Sequence, residues 1–116
     1  MSATFDFADC LTRLRSRDAL TYEAAYEELL PRVREHVPEL LAALEHGGDD
    51  AYTRGKLIEL LGDAQDRTAL SALARELRHP DPNVRRWAVT ALLALCDSEA
   101  DAVVEEHRRR RPEDFV

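Results

Sequence analysis

Along most of the chain, apolar side chains return every three or four positions, the spacing of one buried face of an α-helix. No Val/Ile/Thr-rich alternating segment suggests a strand. The clearest statement lies between His79 and Leu95, HPDPNVRRWAVTALLAL. Asp81 is placed to cap a helix, Pro82 suits its first turn, and Val84, Ala88, Ala91, Leu92 and Leu95 follow on one face. A weaker copy stands 31 residues earlier, where Asp50, Arg54, Leu57, Leu60 and Leu61 take the places of Asp81, Arg85, Ala88, Ala91 and Leu92. Repetition at this period is the mark of stacked helical pairs.

Taken in order, Phe7, Cys10, Leu11 and Leu14 form a narrow stripe on an otherwise polar helix, the form of an end element that covers a stack on one side and meets water on the other. Asp18 or Thr21 can cap the next helix, whose inner face is Tyr22, Tyr26, Leu29 and Val33. Pro31 either ends that helix or begins a short helical link towards His36. Pro38 fits the first turn of a helix with Val37, Leu40, Leu41 and Leu44 inward, closed by Gly47 and Gly48.

The helix opened by Asp49 and Asp50 is predicted to stop at Gly62, before the turn DAQD, and Leu70, Leu73, Ala74 and Leu77 face inward on its partner. After the turn at Cys96 to Ser98, Ala100, Val103, Val104 and His107 take the corresponding places in a less apolar last helix. The pattern divides into a capping helix over 1–17 and a repeat domain over 18–116, with units at about 18–48, 49–79 and 80–111.

The HPDPNVRRWAVTALLAL stretch, with DDAYTRGKLIELLGD and TALSALAREL before it, resembles short HEAT-like repeats of the bacterial, phycobilisome-lyase type. The resemblance is clear over residues 49 to about 111 and extends to 18–48 by size and apolar pattern. It implies an all-α, right-handed α-solenoid of about three antiparallel helix pairs with an N-terminal capping helix. It further implies that Asp50 with Arg54, and Asp81 with Arg85, form a polar ladder between units, and that the second helix of each pair lines a concave surface used to grip partners.

On the side of those second helices opposite their apolar face, helical spacing places Glu39, Ala42 and His46, then Ala72, Arg75 and His79, then Ala102, Glu105 and Arg109. These are the candidate contact residues. Trp87, the only tryptophan, joins them from the outward side of the last unit's first helix, unless it packs against the C-terminal tail.

The net charge is −7, and its distribution is uneven: +1 over residues 1–17, −7 over 18–63, −3 over 64–107 and +2 over 108–116. Such acidity repels phosphate backbones and would steer a basic protein partner, although it also serves plain solubility. Arg108 to Arg111 complement the negative end of the last helix, and Pro112 stops it. Cys10 and Cys96, far apart and without ligand-type neighbours, suit buried reduced thiols in a cytoplasmic protein. MSATFDFADC has no basic n-region or long apolar core, so neither a secretory leader nor a membrane anchor is expected.

No Ser/His/Asp set, phosphate loop, CxxC or HExxH motif is present, and Asp49 with Asp50 read as helix caps, so neither an enzyme nor a cofactor is expected. A metal shared by His46 and His79 is disfavoured, because neighbouring packed helices lie ~8–10 Å apart. The reading is a non-catalytic, cytoplasmic protein-binding module, monomeric or weakly self-associating. It would grip a basic partner with the concave surface and the acidic first unit, for example as an immunity protein of a basic toxin domain. The alternatives are a nucleic-acid-binding repeat protein, using Arg13 to Arg17, Arg75, Arg78 and Arg108 to Arg111, or an assembly scaffold.

Overall fold

Aspartate opens nearly every helix of the computed structural model, which describes residues 4–116; the first three residues of the expected 1–17 cap lie outside them. The Asp6 carboxylate accepts from Asp9 N–H at 3.2 Å to start α1 (Phe7–Leu14), and Asp18 accepts from Thr21 N–H at 3.0 Å to start α2 (Ala19–Leu29). After α3 (Val37–His46), Asp50 caps α4 (Ala51–Ala64), Asp66 the turn before α5 (Leu70–Glu76), Asp81 caps α6 (Pro82–Ala94), and Asp97 caps α7 (Ser98–Arg110). Each supplies an acceptor to first-turn amides that have no partner inside the helix. The described residues contain no strand, and the fold is an all-α stack extending 52 × 27 × 23 Å.

The core follows the periodic positions. Leu57, Ile58, Leu60 and Leu61 of α4 and Val84, Ala88, Ala91 and Leu92 of α6 are buried, and these two helices lie side by side as the centre of the molecule. α3 packs on α4, α5 on α6 and α7 on α6, forming a second layer. At the N-terminal end α1 packs on α2 as a hairpin: Cys10, Leu14, Ala25 and Leu29 are buried there, and the Cys10 thiol donates to the Ala25 carbonyl at 3.3 Å. Pro31 sits in the first turn of a 3-10 link, Leu30–His36, whose backbone breaks at Arg32 and whose Val33 is buried between α2 and α4. The first unit is therefore less regular than a simple antiparallel pair.

Three expectations are corrected. Gly62 does not end α4; it lies inside the helix, where a side-chain carbon would stand 2.8 Å from Ala91 Cα, so the residue is there for close approach. The helix ends instead at Gln65 in the left-handed region (φ 52°). Cys96 occupies the equivalent turn position with the same φ and is exposed, since a left-handed turn residue projects away from the core; only Cys10 is buried.

The polar ladder is the third. Arg54 pairs with Glu76 of α5, inside its own unit, and Arg85 pairs with Asp114 of the tail, so neither arginine meets the capping aspartate of a neighbouring unit. Neighbouring units are joined along the turns instead. Arg34 donates to the Ala64 carbonyl at 2.9 Å, Gln65 to the Ala94 carbonyl at 3.0 Å, and Arg67 to Asp97 at 2.8 Å. Asp50 does link outward, to Arg17, and Asp49 pairs with Arg15 at 2.9 Å, which fastens the N-terminal hairpin to α4.

Candidate functional site

Two acidic residues of the first unit and one of the second gather around a cleft. Tyr22, Glu23, Tyr26 and Glu27 from α2 and Glu59 from α4 enclose about 230 Å³ open to solvent. Helical spacing puts Glu59 on the side of α4 opposite Leu57 and Leu61, so the cleft faces away from the layer formed by α3, α5 and α7. Among the described residues Glu23, Glu27 and Glu59 have no cationic partner. The Tyr26 hydroxyl donates to Asp63 at 2.6 Å, and burial together with that hydrogen bond pushes its phenol well above the ordinary range.

Behind this wall lies Lys56, the only lysine and a buried one. Its ammonium donates to the Leu14 carbonyl at 3.1 Å and stands 3.6 Å from the Tyr22 ring centre and 4.2 Å from that of Tyr52. Two aromatic faces and one carbonyl replace part of its hydration. Burial holds its pKa below the usual lysine value. This residue ties α1, α2 and α4 together, and its sequence signal was a lone lysine on the inner side of α4.

The expected stripe on the second layer is only partly assembled. Glu39, Ala42 and His46 are exposed on α3, Arg75 is exposed and Ala72 half-buried on α5, and Ala102, Glu105 and Arg109 are exposed on α7. His79 is not on a helix at all. It follows α5, and its Nδ1 accepts from Asp81 N–H at 3.0 Å while its carbonyl accepts from Arg85, so it shapes the entry to α6. Two grooves separate the helices of this layer. One of about 230 Å³ between α3 and α5 includes Leu41, Glu45, Ala72 and Arg75; one of about 270 Å³ between α5 and α7 includes Leu77, Arg78, Val103 and Arg110.

Trp87 is neither free on the outer face nor packed on the tail. Its half-buried ring lies over Gly55 of α4, where a side-chain carbon would fall 2.2 Å from Cε3. The tail folds back by another route: Phe115 packs 5.9 Å from the His107 ring, and Arg108 lies over it. Asp114 is buried between Arg85 Nε at 2.9 Å and His107 Nε2 at 2.7 Å, and the guanidinium holds its carboxyl below the usual carboxylate range. With Asp66 and Asp97 as matching caps, Ala69, Leu73 and Glu76 correspond to Ala100, Val104 and His107. The expected match of His107 with Leu77 is corrected by one residue: His107 stands where Glu76 does, and the tail carboxylate supplies the counter-charge at that place.

The basic run is largely paired with nearby acids. Arg108 meets Glu105 at 3.2 Å, Arg109 and Arg110 meet Glu106 at 2.6 and 3.4 Å, and Arg111 meets Glu113 at 3.6 Å. No three His, Cys, Asp or Glu side chains among the described residues come together as a metal site, and no described helix is long and apolar enough to cross a membrane.

A family model described as HEAT repeats matches residues 37–116, from the start of α3 through the tail. No curated protein and no solved structure matches the chain significantly.

Proposed function

Since the chain belongs to the HEAT-repeat family, whose members are generally protein-interaction modules, we propose that it is a non-catalytic protein-binding module whose principal contact is the acidic cleft of α2 and α4. The observation that carries this is the trio Glu23, Glu27 and Glu59, unpaired and exposed around two tyrosine rings. Such a cleft favours an arginine or lysine of a basic partner, by charge and by the aromatic faces together. The stripe of Glu39, Ala42, His46, Ala72, Arg75, Glu105 and Arg109, with His79 near it, belongs to the proposal as a second surface, and Trp87 stands apart from it beside Gly55 on the α4–α6 side. Because the stripe opens on the other side of α4, one partner reaches both surfaces only by wrapping around the stack.

An inhibitory role, as in an immunity protein holding a basic toxin domain in the cytoplasm, is the form of this proposal that best uses steering by a net charge of −7. The pairing of Arg108 to Arg111 with Glu105, Glu106 and Glu113 speaks against a phosphate-gripping groove. The test is affinity capture from lysate of the source cells, comparing the natural chain with Glu23→Arg/Glu27→Arg/Glu59→Arg. Basic proteins retained by the first and lost from the second are expected. Equal recovery by both would remove the cleft from the proposal.

A further inference from the structure

Leu20 is 78% exposed on the first turn of α2, the most exposed large apolar side chain within any described helix. Glu23, Ala24 and Glu27 follow at i+3, i+4 and i+7 and are exposed too, so α2 presents one apolar knob on an acidic strip. The second layer carries its counterpart. The groove of about 270 Å³ between α5 and α7 has an apolar floor of Ala74, Leu77 and Val103, with Arg78 and Arg110 outnumbering the one acid, Glu106, on its border. Arg78 has no acidic partner among the described residues, and Arg110 shares Glu106 with Arg109. In a chain of net charge −7, this groove is a place where an acidic, apolar-tipped helix is attracted rather than repelled.

We propose that the occupant of the α5–α7 groove is α2 of a second copy of this chain, with Leu20 on the apolar floor and Glu23 and Glu27 facing Arg78 and Arg110. Two α2 strips facing each other would repel, which disfavours a symmetric pair through that helix. Knob and groove lie on different parts of the stack, so the contact is head-to-tail, and each copy added leaves one groove and one α2 free. One leucine and two exposed charge pairs make a weak, salt-sensitive association. It goes beyond the binding of a basic partner, and a seated copy would cover Glu23 and Glu27 and so compete with that partner.

The experiment is sedimentation equilibrium of the purified full chain from ~10 µM to ~1 mM, in ~20 mM and ~500 mM salt. At low salt the mass is expected to rise with concentration above the 13.2 kDa of one chain, and to fall back at high salt. Leu20→Asp and Arg78→Glu, both at exposed positions and checked for natural helicity by circular dichroism, should each stay at the mass of one chain. An equimolar mixture of the two should reach the mass of two chains and stop, because one variant keeps the groove and the other keeps α2. A natural chain at single-chain mass throughout, variants that still associate, or a mixture that stays at the mass of one chain would each overturn the proposal. None of these readings depends on whether a basic partner exists.

Discussion

Gly62 and Ala91 bring the backbones of α4 and α6 together: a carbon added at Gly62 would stand 2.8 Å from Ala91 Cα and 2.9 Å from its Cβ. Two turns earlier Gly55 meets the ring of Trp87 instead. A main-chain atom cannot move without moving its helix, whereas a half-buried indole can swing outward. Gly62→Ala is therefore expected to cost about 3 kcal/mol or more, and Gly55→Ala about 1 kcal/mol, each after a helix-propensity gain of up to ~1 kcal/mol. Urea unfolding gives both values, and a red-shifted emission of the single tryptophan should accompany only Gly55→Ala.

Asp114 makes stability depend on acid. Its carboxyl is held below the ordinary range by Arg85, so the unfolded chain binds its proton first as pH falls. The contribution is complete above the unfolded value of about 3.9 and is lost as pH falls through the lower folded value. Asp114→Asn should remove about 2 kcal/mol at neutral pH, since the tail can lift and let water reach Arg85, and should flatten the acid limb of a melting-temperature profile. An unchanged acid limb would count against the carboxylate as its source.

Lys56 has the opposite sense of cost. Burial lowers its pKa, so the folded state loses its proton first as pH rises, and this residue's contribution improves between the folded value and the unfolded ~10.4. Lys56→Met keeps the aliphatic packing but gives up the Leu14 carbonyl and the two rings. Amide exchange in α1 should quicken while α6 is unchanged, a contrast that hydrogen-exchange mass spectrometry resolves.

The two thiols should separate cleanly. Cys96 is exposed, whereas Cys10 is fully buried and burial raises its pKa. A thiol-specific reagent at neutral pH should label one cysteine per chain promptly and the second only on unfolding, and Cys96→Ser should abolish the prompt phase.

The helices were legible because their signals are local. Asp50 and Asp81 each precede an i, i+3, i+4 run, and both caps are made, at Thr53 N–H and Asn83 N–H. Gly62 was misread for a physical reason: a glycine near a helix end serves a left-handed turn and a close crossing equally well, and only the neighbouring helix decides. Cys96 could have been placed, since Gln65 stands 31 residues before it and both precede a capping aspartate. The true partners of Arg54 and Arg85 were hidden because Glu76 and Asp114 lie 22 and 29 residues away, at no common spacing. The acidic cleft was half visible: Glu23 and Glu27 stood out on α2, but Glu59 joins them only through packing.

The substitution of Asp114 for a helix-borne acid bears on how such a chain could lengthen. A tandem copy of residues 49–79 would carry Arg54 and Glu76 together and arrive with its charge already balanced. A copy of residues 80–110 would bring Arg85 and His107 without their carboxylate, stranding a guanidinium inside the array. The units look alike in sequence, yet only the inner one is interchangeable stock; the last is usable only next to its own tail, and growth by duplication would have to proceed from the middle.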